Sequence, residues 1–315
     1  GVSTSILLFG FALLYAASGE LDLSSMLNAE ITPMSEAGFV MVLIGLAFKL
    51  SLFPLHFWTP DVYQGAPVNS TLLLTTVSKA AVFALLIKML LNIPLELQAD
   101  ITRMLSWMAI ASMLFGNWLA LRQQSIKRLM AYSAIAHMGY VLVAGVVALG
   151  KDHSLVLEGA SYYLLAYLIA SIIIFAVITY LSKLDAQDDL DNLPSLQGMF
   201  WQHPKLAIVM ALAFLSLAGM PITVGFIGKF YLLTLAVELS AWWLVSAMLI
   251  GSAVGLYYYL RVIFTLFSPL QDGFAQVPGH YLSKTWTGVI AFSLLILGIL
   301  PGILGDQLRA ILSLG

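Results

Sequence analysis

The sequence predicts an all-α polytopic membrane protein, a helix bundle in which two discontinuous spans form an inverted pair. Three observations lead there. The composition is 61% hydrophobic and only 10% charged, with a mean hydropathy of +0.96, whereas a soluble domain carries about 25% charged residues. Apolar runs of about 20 residues, the length that crosses a bilayer as a helix, follow one another along the chain. Two of these runs, five spans apart, hold both a proline and a lysine in their interior. The net charge of -2 gives no reason to expect nucleic acid as a partner. The lack of cysteine excludes disulfides and thiolate-held iron–sulfur clusters. The chain opens at Gly1 without a methionine or a signal-peptide n-region, so further helices are expected upstream.

Nine spans are expected, at 1–17, 37–58, 68–91, 103–121, 128–149, 155–181, 205–237, 241–267 and 286–304. The first is a plain apolar run. The second belongs to GLAFKLSLFPLHFWTPDVYQGAP, Gly45 to Pro67, and carries Lys49, Pro54 and His56. The third holds Lys79 in its interior and Lys88 near its end. Lys88 can snorkel to the interface, but Lys79 lies about 13 Å deeper by helix rise. The fourth holds no ionisable group beyond Arg103 at its start. The fifth places His137 inside LMAYSAIAHMGYVLVAG. Near the start of the sixth, Glu158 is the one acid placed to balance these lysines. The seventh, as one helix, would be about 50 Å long against about 30 Å of hydrocarbon. Gly219 and Pro221 break it in LAGMPITVGFIGKFYLL, and Lys229 follows the break. In the eighth, GSAVG from Gly251 to Gly255 suits helix packing. YYYLR from Tyr257 to Arg261 reads as an aromatic belt at the interface. The acidic run DAQDDLDNLP, Asp185 to Pro194, reads as a solvated loop.

The loops reached after even-numbered spans hold or adjoin Arg122, Lys127, Arg128, Lys183, Lys205, Arg261 and Lys284. The other side holds Lys88, Arg103, Lys151 and Arg309. The excess places the first group, and the N-terminal end of this chain, on the cytoplasmic side. Spans two and seven are separated by an odd number of crossings, so their breaks face opposite ways. Paired interrupted segments in two inverted halves point to the working site of a transporter, because backbone freed by a proline needs partners that lipid does not offer.

A lysine at the bilayer centre costs about 2.5–3.5 kcal/mol on insertion scales. Removal from water disfavours the charged form of an amine, and imidazole titrates near neutrality. Lysines and histidines joined by water can therefore pass protons. Lys49, Lys79, Lys229, His137 and His56 are the candidates. Each lysine has a second reading, as a structural partner for a carboxylate or for helix-end carbonyls. Each histidine has one too, as a packing group. No GxGxxG, P-loop or HExxH motif occurs, and two intramembrane histidines argue against a haem protein.

Five strings taken in order are specific to a family: KLSLFPLHFWTPDVYQGAP, TTVSKAAVFAL, SIKRLMAYSAIAHMGYVLVAG, LSLAGMPITVGFIGKFY and GLYYYLRV. From near residue 1 to at least 267 the chain resembles the antiporter-like membrane subunits of bacterial NADH–quinone oxidoreductase, respiratory complex I, and among them the subunit N family. The resemblance implies a fourteen-helix fold with two inverted five-helix repeats, of which this chain is the last nine helices. Residues 1–91 would end the first repeat, with its discontinuous helix at about 37–62. Residues 101–267 would form the second, with its discontinuous helix at about 205–237, and 284–315 a C-terminal helix. By the same resemblance Lys49, Lys79 and Lys229 match the family's relay lysines, and His56 and His137 match histidines beside the path. The glutamate that partners Lys49 would lie upstream of Gly1. The implied function is proton translocation in the bacterial inner membrane beside other complex I subunits, including neighbouring antiporter-like ones. NADH, flavin mononucleotide, iron–sulfur clusters and quinone would be bound by those other subunits, with no cofactor or metal in this chain. The alternatives are a cation/proton antiporter or hydrogenase-linked subunit of the same superfamily, or a structural membrane scaffold.

Overall fold

A computed structural model of the protein describes residues 1–27, 30–149, 153–184, 191–269 and 293–299. Among the described residues the secondary structure is helical, with one isolated antiparallel bridge between Ser125 and Asn192. The helices are α1 (Val2–Ser18), α2 (Leu23–Leu27), α3 (Pro33–Leu50), α4 (Trp58–Gly65), α5 (Val68–Thr75), α6 (Val77–Leu90), α7 (Leu95–Leu121), α8 (Ile126–Ala148), α9 (His153–Leu184), α10 (Met199–Gln202), α11 (Pro204–Ala218), α12 (Val224–Glu238) and α13 (Trp242–Phe267).

Eight of the nine expected spans are seen. Among the described residues six stretches are long and apolar enough to cross a membrane, and α1 and α11 are shorter apolar helices. The protein is a multi-pass membrane protein. The ninth span, 286–304, lies outside the described residues except for 293–299, which are helical. Lys151, Lys284, Arg309 and the side chain of Lys183, all part of the charge count, also lie outside the described residues.

Both expected breaks are present. The first separates α3 from α4 across Ser51–Phe57, and the second separates α11 from α12 across Gly219–Thr223. α11 and α12 have 15 residues each, about 22 Å, so neither crosses the hydrocarbon alone. Each break carries a non-glycine residue in the left-handed region, Ser51 at φ 62° and Ile222 at φ 80°. For a β-branched residue such as Ile222 this is a true outlier. A third interruption was not expected. Thr76, at φ -107° and ψ -96°, separates α5 from α6 three residues before Lys79.

α8 is the buried axis of the bundle. Its span is 94% buried, and it packs against α7, α9, α12 and α4. A fully surrounded helix needs to be apolar on all sides, and IKRLMAYSAIAHMGYVLVAGVVA is so beyond its first turn. That turn is docked to the segment after α9. Ser125 Oγ caps it by accepting from Arg128 N–H at 3.1 Å. Asp191 accepts from Ser125 Oγ at 2.6 Å and from Lys127 N–H at 3.3 Å.

Candidate functional site

The site forms where the two breaks meet the middle of α8. At the first break, Ser51 N–H donates to the carbonyls of α3's last turn. The N–H of Phe53, beyond the helix end, donates to Ser112 Oγ on α7 at 2.9 Å. The carbonyl of Leu50, the last residue of α3, accepts from Lys79 Nζ at 3.5 Å. Lys79 is only 1% exposed, and its ammonium lies 5.9 Å from the Tyr63 ring centroid.

The second break repeats this chemistry. Gly219 caps α11 at φ 80°, a conformation glycine adopts without strain. Thr223 Oγ1 donates to the Met220 carbonyl at 2.7 Å, and Gly225 N–H donates to Ser216 Oγ at 3.2 Å. Lys229 Nζ donates to the carbonyl of Ala218, the last residue of α11, at 2.9 Å. Its ammonium stands 5.2 Å from the Tyr140 ring centroid. Gly225 is required here, because a Cβ at that position would lie 1.8 Å from the Ser216 carbonyl oxygen. Both lysines thus place a cation on the C-terminal carbonyls of a broken helix, the negative end of its dipole.

His137 is 3% exposed and sits in the middle of α8. Its Nδ1 is 2.6 Å from the Tyr163 hydroxyl and its Nε2 is 3.0 Å from the Tyr259 hydroxyl. Ser133, one turn earlier, is hydrogen-bonded to the same Tyr259 hydroxyl. His137 is within electrostatic reach of both Lys229 and Lys79. A cavity of about 10 Å³ is bounded by His137, Tyr163, Tyr167, Ser216, Gly225 and Lys229. That is about the space of one water molecule, with polar groups on several sides. The Tyr167 ring lies 5.1 Å from the His137 ring, while the Tyr63 ring lies by the Lys79 ammonium. The hydroxyls of Tyr63 and Thr75 face each other, as do those of Tyr167 and Ser171, and all four are buried.

The remaining candidates stand apart. Lys49, in the last turn of α3, is only partly buried and makes no salt bridge to a described acid. His56 lies in the first break and stacks on Phe53 at 5.3 Å, which stacks on Phe115 at 4.6 Å. It is packed among aromatic rings and is not joined to the Lys79–His137–Lys229 group. Glu158 is buried within α9. Lys88 is exposed in the last turn of α6, as snorkelling requires.

Three readings need correction. Only the first residue of YYYLR behaves as a belt: Tyr257 is 65% exposed, but Tyr258 and Tyr259 are 1% exposed and hydrogen-bond to Asn117 and to His137. α13 continues past this stretch to Phe267. Lys127, counted as a loop charge, is fully buried in the first turn of α8. Asp191 is a cap on α8 that also accepts from Gln64 Nε2 at 2.9 Å, while residues 185–190 of the acidic run lie outside the described residues. The small-residue face of α13 does pack as expected, with Gly251 and Gly255 against Asn117.

Two broken apolar helices, each with a lysine on its C-terminal carbonyls and packed around a buried helix that carries a histidine, are the features of an antiporter-like membrane subunit. The chain belongs to the family NADH:quinone oxidoreductase/Mrp antiporter, TM, which matches residues 1–255. It is similar to a chain of respiratory complex I from Thermus thermophilus at 34% identity, with a TM-score of 0.80, over 98% of this chain and 66% of that one. It also has the fold of a chain of the membrane-bound sulfane sulfur reductase, an archaeal respiratory membrane complex, at 24% identity and a TM-score of 0.87, over 98% and 63%. A chain of the Mrp complex from a Dietzia species shares the fold at 18% identity and a TM-score of 0.83, over 98% and 65%. The chain therefore spans 63% to 66% of the length of these relatives.

Proposed function

We propose that the chain is a proton-translocating portion of an antiporter-like subunit of NADH–quinone oxidoreductase, of the subunit N type, in a bacterial inner membrane. The N-terminal end of the chain lies on the cytoplasmic side. Residues 1–91 and 101–267 are the parts of its two inverted repeats. Lys79 is the central station, His137 the link and Lys229 the group that exchanges protons at the second break. Lys49 is the gate toward an acid outside this chain, and His56 lines the approach at the first break. The observation that carries this reading is the shared cavity between His137 and Lys229, with both lysines anchored to half-helix ends. The buried hydroxyl pairs Tyr63–Thr75 and Tyr167–Ser171 line the stretch between Lys79 and His137. NADH, flavin, iron–sulfur and quinone chemistry belongs to neighbouring subunits. This chain converts their signal into proton movement through its own side chains.

The 34% identity to a complex I chain supports a complex I assignment. The deciding experiment is Lys229→Ala in the assembled complex in inverted vesicles, recording NADH oxidation and ΔpH together. Normal assembly with a fall of both is the expected result. Normal values of both would leave Lys229 as a structural cap on α11. A dependence of ΔpH on Na⁺ would instead favour a cation/proton antiporter.

A further inference from the structure

Outside the lysine site, α7 and α13 leave a surface groove of about 250 Å³ between them. Leu114, Phe115, Ile250 and Val254 wall it, and Asn117 with Gly251 forms its floor. At the α7 C-terminal end of the groove stands Trp118, with the Arg122 guanidinium 5.1 Å from its ring. Arg122 is exposed and makes no salt bridge to a described acid. The neighbouring Arg261 is already committed, donating to the carbonyls of Leu121 at 2.9 Å and Gln123 at 2.7 Å. Among the described residues, Arg122 is thus an exposed cation without an acidic partner at the mouth of an apolar slot.

The surrounding face says what fills it. Trp242 and Trp243 are exposed at the start of α13, and Tyr257 and Trp118 are exposed toward the other end. The α13 positions are separated by about 21 Å of helix rise. Aromatic side chains at two levels mark a face turned to lipid, with headgroups at those levels. A helix about 10 Å across does not enter so small a slot, but an acyl chain does. An anionic phosphate at the same end meets the uncommitted guanidinium.

We propose that this groove binds an anionic phospholipid, with one acyl chain between α7 and α13 and its phosphate on Arg122. The floor gives the site a route inward. Asn117 Nδ2 donates to the Tyr140 hydroxyl at 3.1 Å, and the Tyr140 ring faces the Lys229 ammonium.

The test uses the assembled complex, stripped of lipid in detergent and supplied with phosphatidylglycerol or phosphatidylcholine bearing a diazirine in the acyl chain. Cross-links are mapped by peptide mass spectrometry. Phosphatidylglycerol is expected to label the segments containing Leu114 and Ile250–Val254 more strongly than phosphatidylcholine. Arg122→Gln is expected to cut that labelling about fivefold, the effect of losing one surface arginine beside an anionic headgroup, without changing the phosphatidylcholine signal. Val254→Trp fills the slot and should abolish both signals. Equal labelling by the two lipids, unaffected by Arg122→Gln, overturns the proposal. So does protection of these segments with cross-links to a neighbouring subunit, which would make the face a protein interface.

Discussion

Lys79 and Lys229 sit on different helices yet solve one problem in the same way. A cation at a helix C-terminus gains about 0.3–1 kcal/mol, rising to about 2 in partly buried geometry. That is less than the roughly 2.5–3.5 kcal/mol insertion cost of a central lysine. The contact to Leu50 therefore places Lys79 without making its burial favourable. Replacing Lys79 by methionine keeps chain length and removes the charge. Lys79→Met is expected to leave the yield of assembled complex unchanged or higher while ΔpH formation falls about a hundredfold or more, the range lost when a positioned proton-transfer group is removed. A structural lysine would show the reverse, with lost assembly and normal pumping per complex. Tyr259 acts one step further out. Its hydroxyl joins His137 Nε2 and Ser133, so it orients the imidazole. Tyr259→Phe retains the ring packed on Phe214 and Tyr258. Pumping should fall several-fold with assembly intact, and the histidine's NMR tautomer ratio should shift, a signature that loss of packing alone would not produce.

The breaks are held by polar contacts that only certain side chains supply. Ser216 serves the second break twice, through a hydroxyl that accepts from Gly225 N–H and a carbonyl that α12 crosses closely. Gly225→Ala forces these segments apart and is expected to prevent assembly. Ser216→Ala only orphans one buried N–H, at about 1–3 kcal/mol, and should lower the melting temperature of a complex that still forms. Comparison of the two yields checks the order. These breaks were legible in sequence because Pro54, Gly219 and Pro221 interrupt runs of otherwise uniform hydropathy. The interruption at Thr76 was not, since it contains neither glycine nor proline. Its signal is the Thr75–Thr76 pair, with Thr76 Oγ1 donating to the Leu72 carbonyl at 2.6 Å, a bond that bends helices. At the site, Lys79, Lys229 and His137 were legible because charge inside an apolar run is costly wherever the run folds. Tyr163 and Tyr259 were not, because a tyrosine has the same appearance in a belt, a core or a hydrogen bond to histidine. Only the packing of α9 and α13 around α8 separates these cases.

At the scale of the molecule, α4 and α8 are joined at one end of the bundle by a chain of polar contacts whose members are not equal. Arg128 on α8 meets Asp61 on α4 at 2.9 Å and Gln64 at 3.0 Å, and Gln64 reaches Asp191. Asp61 is 74% exposed, and an exposed ion pair contributes about 0–1 kcal/mol. Asp191 is different. Its carboxylate accepts from Gln64, Ser125 and Lys127, and its main chain accepts from Ile126 N–H at 2.6 Å. It lies at the start of the buried α8, where a negative charge also complements the helix dipole. Through Gln64 it connects α4, just beyond the first break, to the helix that carries His137. Asp191→Ala should therefore destabilise the assembled complex by about 1–3 kcal/mol, the cost of stranding polar groups. The loss should persist in high salt, because partly buried contacts are weakly screened. Asp61→Ala should change stability by less than about 1 kcal/mol, and any effect should vanish in high salt. Thermal unfolding of both variants at low and high ionic strength makes the comparison. Equal effects would mean that the surface ion pair holds α4 to α8 as firmly as Asp191 does. A larger, salt-insensitive loss for Asp191→Ala would mean that the cap on α8 carries the connection between the first break and His137.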